Sequence, residues 1–193
     1  MTSKRRNDMV YVALLRGINV GGNNKVDMKT LKASMEAAGL NHVVTYINSG
    51  NIIFTSSQGD KHALALRVET IISETFGLDI KVLIRSLPDY EAMMKALPEN
   101  WQNNDEMRSD VLFLWEAFDQ ESVLDGLIFK PEIETVLYTP GAVLWSVNRA
   151  LAAKSGLSKI IGTKLYSNVT IRNVNTTRKI YELMKEASAK EGL

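Results

Sequence analysis

The chain contains no cysteine, and that absence removes disulfides, thiolate metal sites and cysteine nucleophiles at once. It also fits a reducing compartment. Histidine is almost as scarce: His42 and His62 are the only two in 193 residues, which leaves little of the commonest general base. Excess charge of one sign is missing as well. Lys and Arg together number 23 against 22 Asp and Glu, a formal net charge of +1, whereas a generic nucleic-acid binder carries a clear basic excess. The early apolar run Met9–Leu15 is too short, and too soon interrupted by Arg16, for a signal peptide or a membrane span. These absences lead us to expect a cytoplasmic protein with no membrane partner. There is no G-x-G-x-x-G, no metal-ligand spacing and no carboxylate pair on one helix face, so neither a cofactor nor a metal site is expected.

What the chain does have is three polar motifs, RGINVGGNN at 16–24, NSGN at 48–51 and TIRNVNT at 170–176. Each closes a strand-like run. Their Arg, Asn and Gly residues offer a fixed positive charge, amides and backbone N–H groups, the ingredients of an anion or nucleotide pocket. They offer no nucleophile–base pair, so none of them reads as a catalytic residue.

Period and punctuation give the element order. Met9–Leu15 is a continuous apolar strand. Asp27 is placed to cap a helix that buries Met28, Leu31, Met35 and Ala38 before Gly39. His42–Ile47 and Ile52–Thr55 form a hairpin about NSGN, and Asp60–Phe76 is a helix burying Leu64, Val68, Ile71, Ile72 and Phe76. Ile80–Arg85 is the fourth strand. A connecting helix opens on the capping box Ser86-x-x-Asp89 and ends at Pro98. After the polar stretch 98–109 the order recurs. Val111–Trp115 is a strand, Asp119 caps a short helix to Leu127, and Ile133–Tyr138 and Ala142–Val147 form a hairpin. Asn148–Lys154 is a helix, Asn168–Ile171 a strand, and a last helix, about 176–189, buries Ile180, Leu183, Met184 and Ala187. The expected fold class is therefore α+β, two ferredoxin-like βαββαβ halves in tandem with a connecting and a C-terminal helix. Residues 1–8 would be a disordered tail, 9–97 the first half, 98–109 a linker and 110–193 the second half.

A right-handed β-α-β crossover makes the first two strands parallel, so RGINVGG and NSGN leave the sheet at one edge and should be neighbours. His42 and His62 belong to the opposite edge. RGINVGGNNK has a phosphate-loop outline, but Gly17-x4-Gly22 is followed by Asn23-Asn24 where Lys-Ser/Thr is required. Gly21 and Gly22 serve a tight turn or an anion cradle about equally well, with Arg16 at the base. NSGN is first a hairpin turn, with Ser49 and Asn51 as hydrogen-bonding groups upon it. Asn173 or Asn175 is first a helix cap. Arg172 beside that helix N-terminus is a cation the helix dipole disfavours unless an anion intervenes, and Lys164 in the preceding loop could join it. VYVALL at 10–15 has the outline of an RNA-recognition first strand with Tyr11 as platform, yet NIIFTS lacks the aromatic pair and basic residue of its partner strand. Trp101, Trp115 and Trp145 read as packing residues.

LLRGINVGG, the YINSGNI hairpin and the T-x-RN-x-NT entry to the last helix occur here together and in order. In these motifs, spanning nearly the whole chain, the protein resembles the bacterial family called domain of unknown function 1697. The resemblance implies two ferredoxin-like α+β halves and no established activity. A Trp that often precedes the terminal NT in that family is Val174 here.

The leading expectation is a small-molecule-binding protein or enzyme with a cleft for a phosphorylated, nucleotide or carboxylate ligand. Arg16, Lys164 and Arg172 would neutralise the anion, Gly21 and Gly22 would cradle it, and Asn19, Ser49, Asn51 and Asn173 would orient it. A nucleic-acid-binding module, and an interaction protein whose motifs are only turns and caps, are the alternatives.

Overall fold

A computed structural model describes residues 8–191; the expected tail, Asp8 apart, lies outside the described residues. The elements are mixed α and β. β1 (Met9–Leu15), α1 (Met28–Ala37), β2 (Asn41–Tyr46), β3 (Asn51–Ser56), α2 (Lys61–Phe76), β4 (Val82–Ser86) and α3 (Leu87–Ala96) come first. β5 (Met107–Leu114), β6 (Glu134–Thr139), β7 (Ala142–Asn148), β8 (Val169–Asn173) and α4 (Val174–Glu191) follow. The chain divides into two compact units, one of residues up to Tyr90 with those from Ile180 onward, the other Glu91–Lys179. The divisions fall inside α3 and α4.

The first unit holds a four-stranded antiparallel sheet in the order β2-β3-β1-β4. β1 is buried from Val10 to Leu15, which is why its sequence is continuously apolar instead of alternating. α1 and α2 cover one face. Asp27 caps α1 by accepting from the Thr30 N–H, and Asp60 caps α2 by accepting from His62 and Ala63; each satisfies donors that a helix start leaves orphaned. Leu31, Met35, Leu64, Val68 and Ile72 are fully buried with Tyr11, Phe54 and Ile84. Phe76 is only half-buried at the edge of this cluster. The capping box forms at the start of α3, with the Ser86 N–H donating to Asp89 and the Asp89 N–H donating to the Ser86 hydroxyl. In α4, Ile180, Met184 and Ala187 are buried, while Leu183 is half-buried.

The second unit has a sheet of the same relative order, β6-β7-β5-β8, again antiparallel throughout. Its crossovers differ from expectation. The segments expected as helices, from Asp119 to Leu127 and over 148–154, form 3₁₀ turns at Glu121–Gly126 and Arg149–Lys154, and another 3₁₀ turn, Glu116–Phe118, precedes them. Two further 3₁₀ turns, Gly156–Lys159 and Tyr166–Asn168, lead to β8. Segments of three to six residues are too short to repay helix nucleation. Asp119 is no helix cap: its carboxylate accepts from the Gly141 N–H and the Tyr138 hydroxyl and braces the β6–β7 turn. Residues 98–109, expected as a linker, are tied down. Arg178 donates to the carbonyls of Pro98, Glu99 and Trp101, Asn175 to that of Asn103, and Arg149 to that of Asn104. β5 then begins at Met107, four residues before the expected Val111.

Candidate functional site

The residues singled out from the sequence fall into two groups, one in each unit. In the first unit, β1 ends at Leu15 beside the β2–β3 turn, and the Leu15 N–H donates to the Gly50 carbonyl at 2.9 Å. Gly50 has φ of +82°, and a Cβ there would lie 2.6 Å from that of Leu15 and 2.8 Å from Ile18 Cδ1. Only glycine lets the turn pack this closely. Asn19 completes the junction. Its Nδ2 donates to the Asn48 carbonyl at 2.8 Å and the Val26 carbonyl at 3.0 Å, while its Oδ1 accepts from the Val26 N–H at 2.9 Å. The loops 16–24 and 48–51 are thus neighbours at one sheet edge, as the crossover argument requires.

The strand register puts both histidines elsewhere. Leu14 pairs with Asn51 and Tyr46 with Asn51, but Asn41 pairs with Thr55 and Met9 with Ser56. His42, beside Asn41, and His62, after β3, therefore sit at the opposite edge.

The same hydrogen bonds revise the roles of the asparagines. Asn19 spends its amide on the junction. Asn51 is fully buried, and its Nδ2 donates to the Tyr46 carbonyl and the Ser49 hydroxyl at 3.0 and 3.1 Å. Both act as staples between backbone segments, a use that the sequence shares with ligand recognition and so does not distinguish. What faces outward is different: Gly21, Gly22 and Ser49 are exposed, Arg16 is half-buried, and a Cβ on either glycine would meet open space. Val20 and Ile47 are exposed on the same two loops, and Ile47 holds a φ of +49°, an unusual conformation for a β-branched residue.

In the second unit Asn173 caps α4, its Oδ1 accepting from the Thr176 N–H at 2.9 Å. Arg172 is buried, and its Nη1 donates to Thr170 Oγ1 at 2.9 Å and to the Ile171 carbonyl at 2.8 Å. Lys164 is exposed before the start of β8, on a hollow of about 290 Å³ shared with Phe118, Gln120 and Thr163. Asn173 closes the other end of that strand. Val174 is fully buried as the first residue of α4.

Two polar groups gave no signal in the sequence. Glu134 is a buried carboxylate that accepts from Trp145 Nε1 (2.8 Å), the Lys130 N–H (2.7 Å), the Gly156 N–H (3.0 Å) and the Ser155 hydroxyl. Burial pushes its pKa up, but the Ser155, Gly156, Trp145 and Lys130 donors outweigh that and hold it below the usual carboxylate range. A carboxylate so supplied with donors is an ionised anchor, not a general acid. Asp110 is its opposite: burial raises its pKa, with Arg108 and Arg149 opposing, and Arg108 Nε lies 2.9 Å from its Oδ2. Tyr11, considered above as a base-stacking platform, is buried, stacks on Phe54 at 5.8 Å and donates its hydroxyl to the Gln58 carbonyl. No nucleic-acid base reaches it in this arrangement.

Among the described residues, no helix is long and apolar enough to cross a membrane. The model of a family described as a protein of unknown function, DUF1697, matches residues 9–145. A solved structure described as that of conserved bacterial protein SP0830 from Streptococcus pneumoniae is 33% identical, covering 92% of this chain and 99% of its own, with a TM-score of 0.79. No functionally curated protein matches. The chain belongs to the DUF1697 family.

Proposed function

As a member of a family without an assigned activity, the protein takes its function from its own site, and we propose that it is a cytoplasmic small-molecule-binding protein. The ligand's phosphate or carboxylate lies on the rim formed by loops 16–24 and 48–51 of the first unit. Arg16 neutralises the anion, the Gly21 and Gly22 amides cradle it, and Ser49 donates its hydroxyl. Asn19 and Asn51 hold the rim in shape. The observation that carries this reading is the bond from Asn19 to the Asn48 carbonyl, which fixes a charged, glycine-rich loop against a hydroxyl-bearing turn. Any chemistry would proceed by electrostatic positioning. Each unit is read as ferredoxin-like on the strength of its strand order, and the lack of cysteine supports the compartment.

The test is thermal unfolding with inorganic phosphate, nucleoside triphosphates, sugar phosphates and small carboxylates. A ligand at a hundredfold excess over its Kd should raise the midpoint by about 5–10 °C. Arg16→Gln should abolish the rise, and moderate salt should reduce it only mildly. A steep salt dependence would point to a polyanion. The exposed Val20 and Ile47 favour one other reading, a protein-docking rim. In that case no small anion would shift the midpoint.

A further inference from the structure

We propose that the second unit carries a self-recognition edge: β6 pairs antiparallel with β6 of a second copy of this chain, about a two-fold axis at Leu137. An edge strand leaves a row of N–H and carbonyl groups unpaired, and folded proteins as a rule blunt such edges. Three of the four edge strands here are blunted. On β4 the Val82 N–H donates to the Glu69 carboxylate, and Arg85 Nη1 donates to the Ile84 carbonyl. On β8 Arg172 Nη1 covers the Ile171 carbonyl in the same way. β2 is broken in register between Asn41 and Val44, with His42 at a φ of +51°. β6 carries none of these devices. Its register with β7 is unbroken from Glu134 to Thr139, and residues 135–139 include no charge and no proline.

The register also fixes which groups stay open. Thr139 pairs with Ala142 across the two-residue Pro140-Gly141 turn, and the pair that closes such a hairpin exchanges both of its hydrogen bonds. Alternation then turns the backbone groups of Thr135 and Leu137 towards β7, and those of Val136 and Tyr138 outward. None of these four outward groups has a partner among the described residues. The open stretch ends at both sides: the Glu134 N–H is already given to the Lys130 carbonyl, and Pro140 has no N–H. What remains is three residues long and symmetric about Leu137.

That symmetry selects a second copy as the occupant. With Leu137 opposite Leu137 of the second copy, each Val136 exchanges both backbone hydrogen bonds with Tyr138 across the axis, and both sets of open groups are satisfied. The same register sets Thr135 opposite Thr139 and β-branched Val136 opposite aromatic Tyr138, pairs that antiparallel sheets favour. Leu137, 38% exposed, gains an apolar mate at the centre. No like charges meet, because Glu134, the one acidic residue of the strand, is buried on its own donors. A short strand pair of this kind is a small contact, at the weak end of specific interfaces.

Sedimentation velocity of the whole chain from about 10 µM to about 1 mM should show a concentration-dependent equilibrium between monomer and dimer. Leu137→Lys, at an exposed side chain and checked for folding by circular dichroism, sets like charges opposite each other and should raise the dimer's dissociation constant about tenfold. The register has its own test. The chain has no cysteine, so a single introduced thiol can bridge only between copies. Leu137→Cys places two thiols on a non-hydrogen-bonded pair with Cα atoms about 4.5 Å apart, inside disulfide range, and mild oxidation should convert it to covalent dimer. Thr135→Cys, at another exposed position, sets its thiols about 14 Å apart and should resist the same treatment. A monomer at every concentration, a dimer undiminished by Leu137→Lys, or crosslinking as fast from position 135 as from 137 would overturn the proposal.

Discussion

The two units reach the same relative strand order with different means of support. In the first, two capped α-helices lay an apolar face on the sheet, and Leu31, Met35, Leu64 and Val68 are buried with it. In the second, 3₁₀ turns replace those helices, and buried polar contacts supplement a core built around Leu112, Val143, Trp145 and Leu157. Glu134 joins Lys130, Trp145, Ser155 and Gly156 through one carboxylate, while Asp119 holds the hairpin turn. A sheet can thus keep its order while its crossovers lose their helices, provided that specific hydrogen bonds replace regular packing. All three tryptophans belong to the second unit. Tryptophan fluorescence therefore watches one side of the comparison, and far-ultraviolet circular dichroism weights the helical side.

The largest expected effect tests the polar mode of support. A Cβ on Gly156 would lie 1.6 Å from the Ile128 carbonyl oxygen, a backbone atom that cannot swing aside, and its N–H is one of the donors to Glu134. Gly156→Ala should cost roughly 3 kcal/mol or more, at the upper end for overpacking. Urea unfolding followed by tryptophan fluorescence should show the loss. A change below about 1 kcal/mol would mean that this turn is not what holds the second unit.

Next comes the apolar mode. Leu31→Ala should cost about 2–5 kcal/mol, since it truncates a fully buried core side chain. Loss of helical signal at a denaturant concentration where tryptophan emission is still native would show that the two modes fail separately. Coincident transitions would show instead that the units unfold together.

A smaller effect belongs to the loop junction. Asn19→Ala removes two donors and one acceptor at a half-buried position, which should cost about 1–2 kcal/mol. It should also weaken any phosphate binding measured at the rim, because the turn bearing Ser49 is then no longer tied to the glycine loop. A variant that loses stability but keeps full phosphate affinity would separate the junction from the binding site.

The contrast also explains what could be read in advance. In the first unit the signals are local. Asp27 and Asp60 stand directly before helical periods, Gly39 and Gly77 after them, and the handed crossover makes neighbours of two motifs about 30 residues apart in sequence. In the second unit the decisive contacts are non-local and singular. Nothing about Glu134 at the start of an edge strand announces partners at Trp145 and Ser155, and Asp119 before a short apolar run has the look of a helix cap. The asparagines show the complementary limit. A carboxamide that closes a loop and one that orients a ligand carry the same letter in the same motif, and only the geometry around Asn19 and Asn51 separates the two uses.

Acid provides the finest probe, because the second unit holds two buried carboxyls with opposite shifts. Glu134 lies below its usual pKa in the folded chain, so its ionised form stabilises the fold at neutral pH. That contribution begins to fade as pH falls through the unfolded Glu value and is gone below the folded one. Asp110 lies above its usual pKa. Its ionised form is therefore a cost at neutral pH, relieved as pH falls through its raised folded value towards that of an unfolded Asp. Tryptophan-detected stability should accordingly rise slightly as mild acid protonates Asp110, then fall as Glu134 is protonated. Asp110→Asn should remove the rise and Glu134→Gln should flatten the fall. In the first unit the shifted carboxyls, Asp27 and Asp89, are both lowered, Asp27 through its bonds to Thr30, Asp89 because Lys61 and Ser86 outweigh its burial. Acid can only weaken them, so the helical signal should decline without a maximum. A maximum in the helical signal, or none in tryptophan emission, would show that the units do not differ in the way their shifted acids suggest.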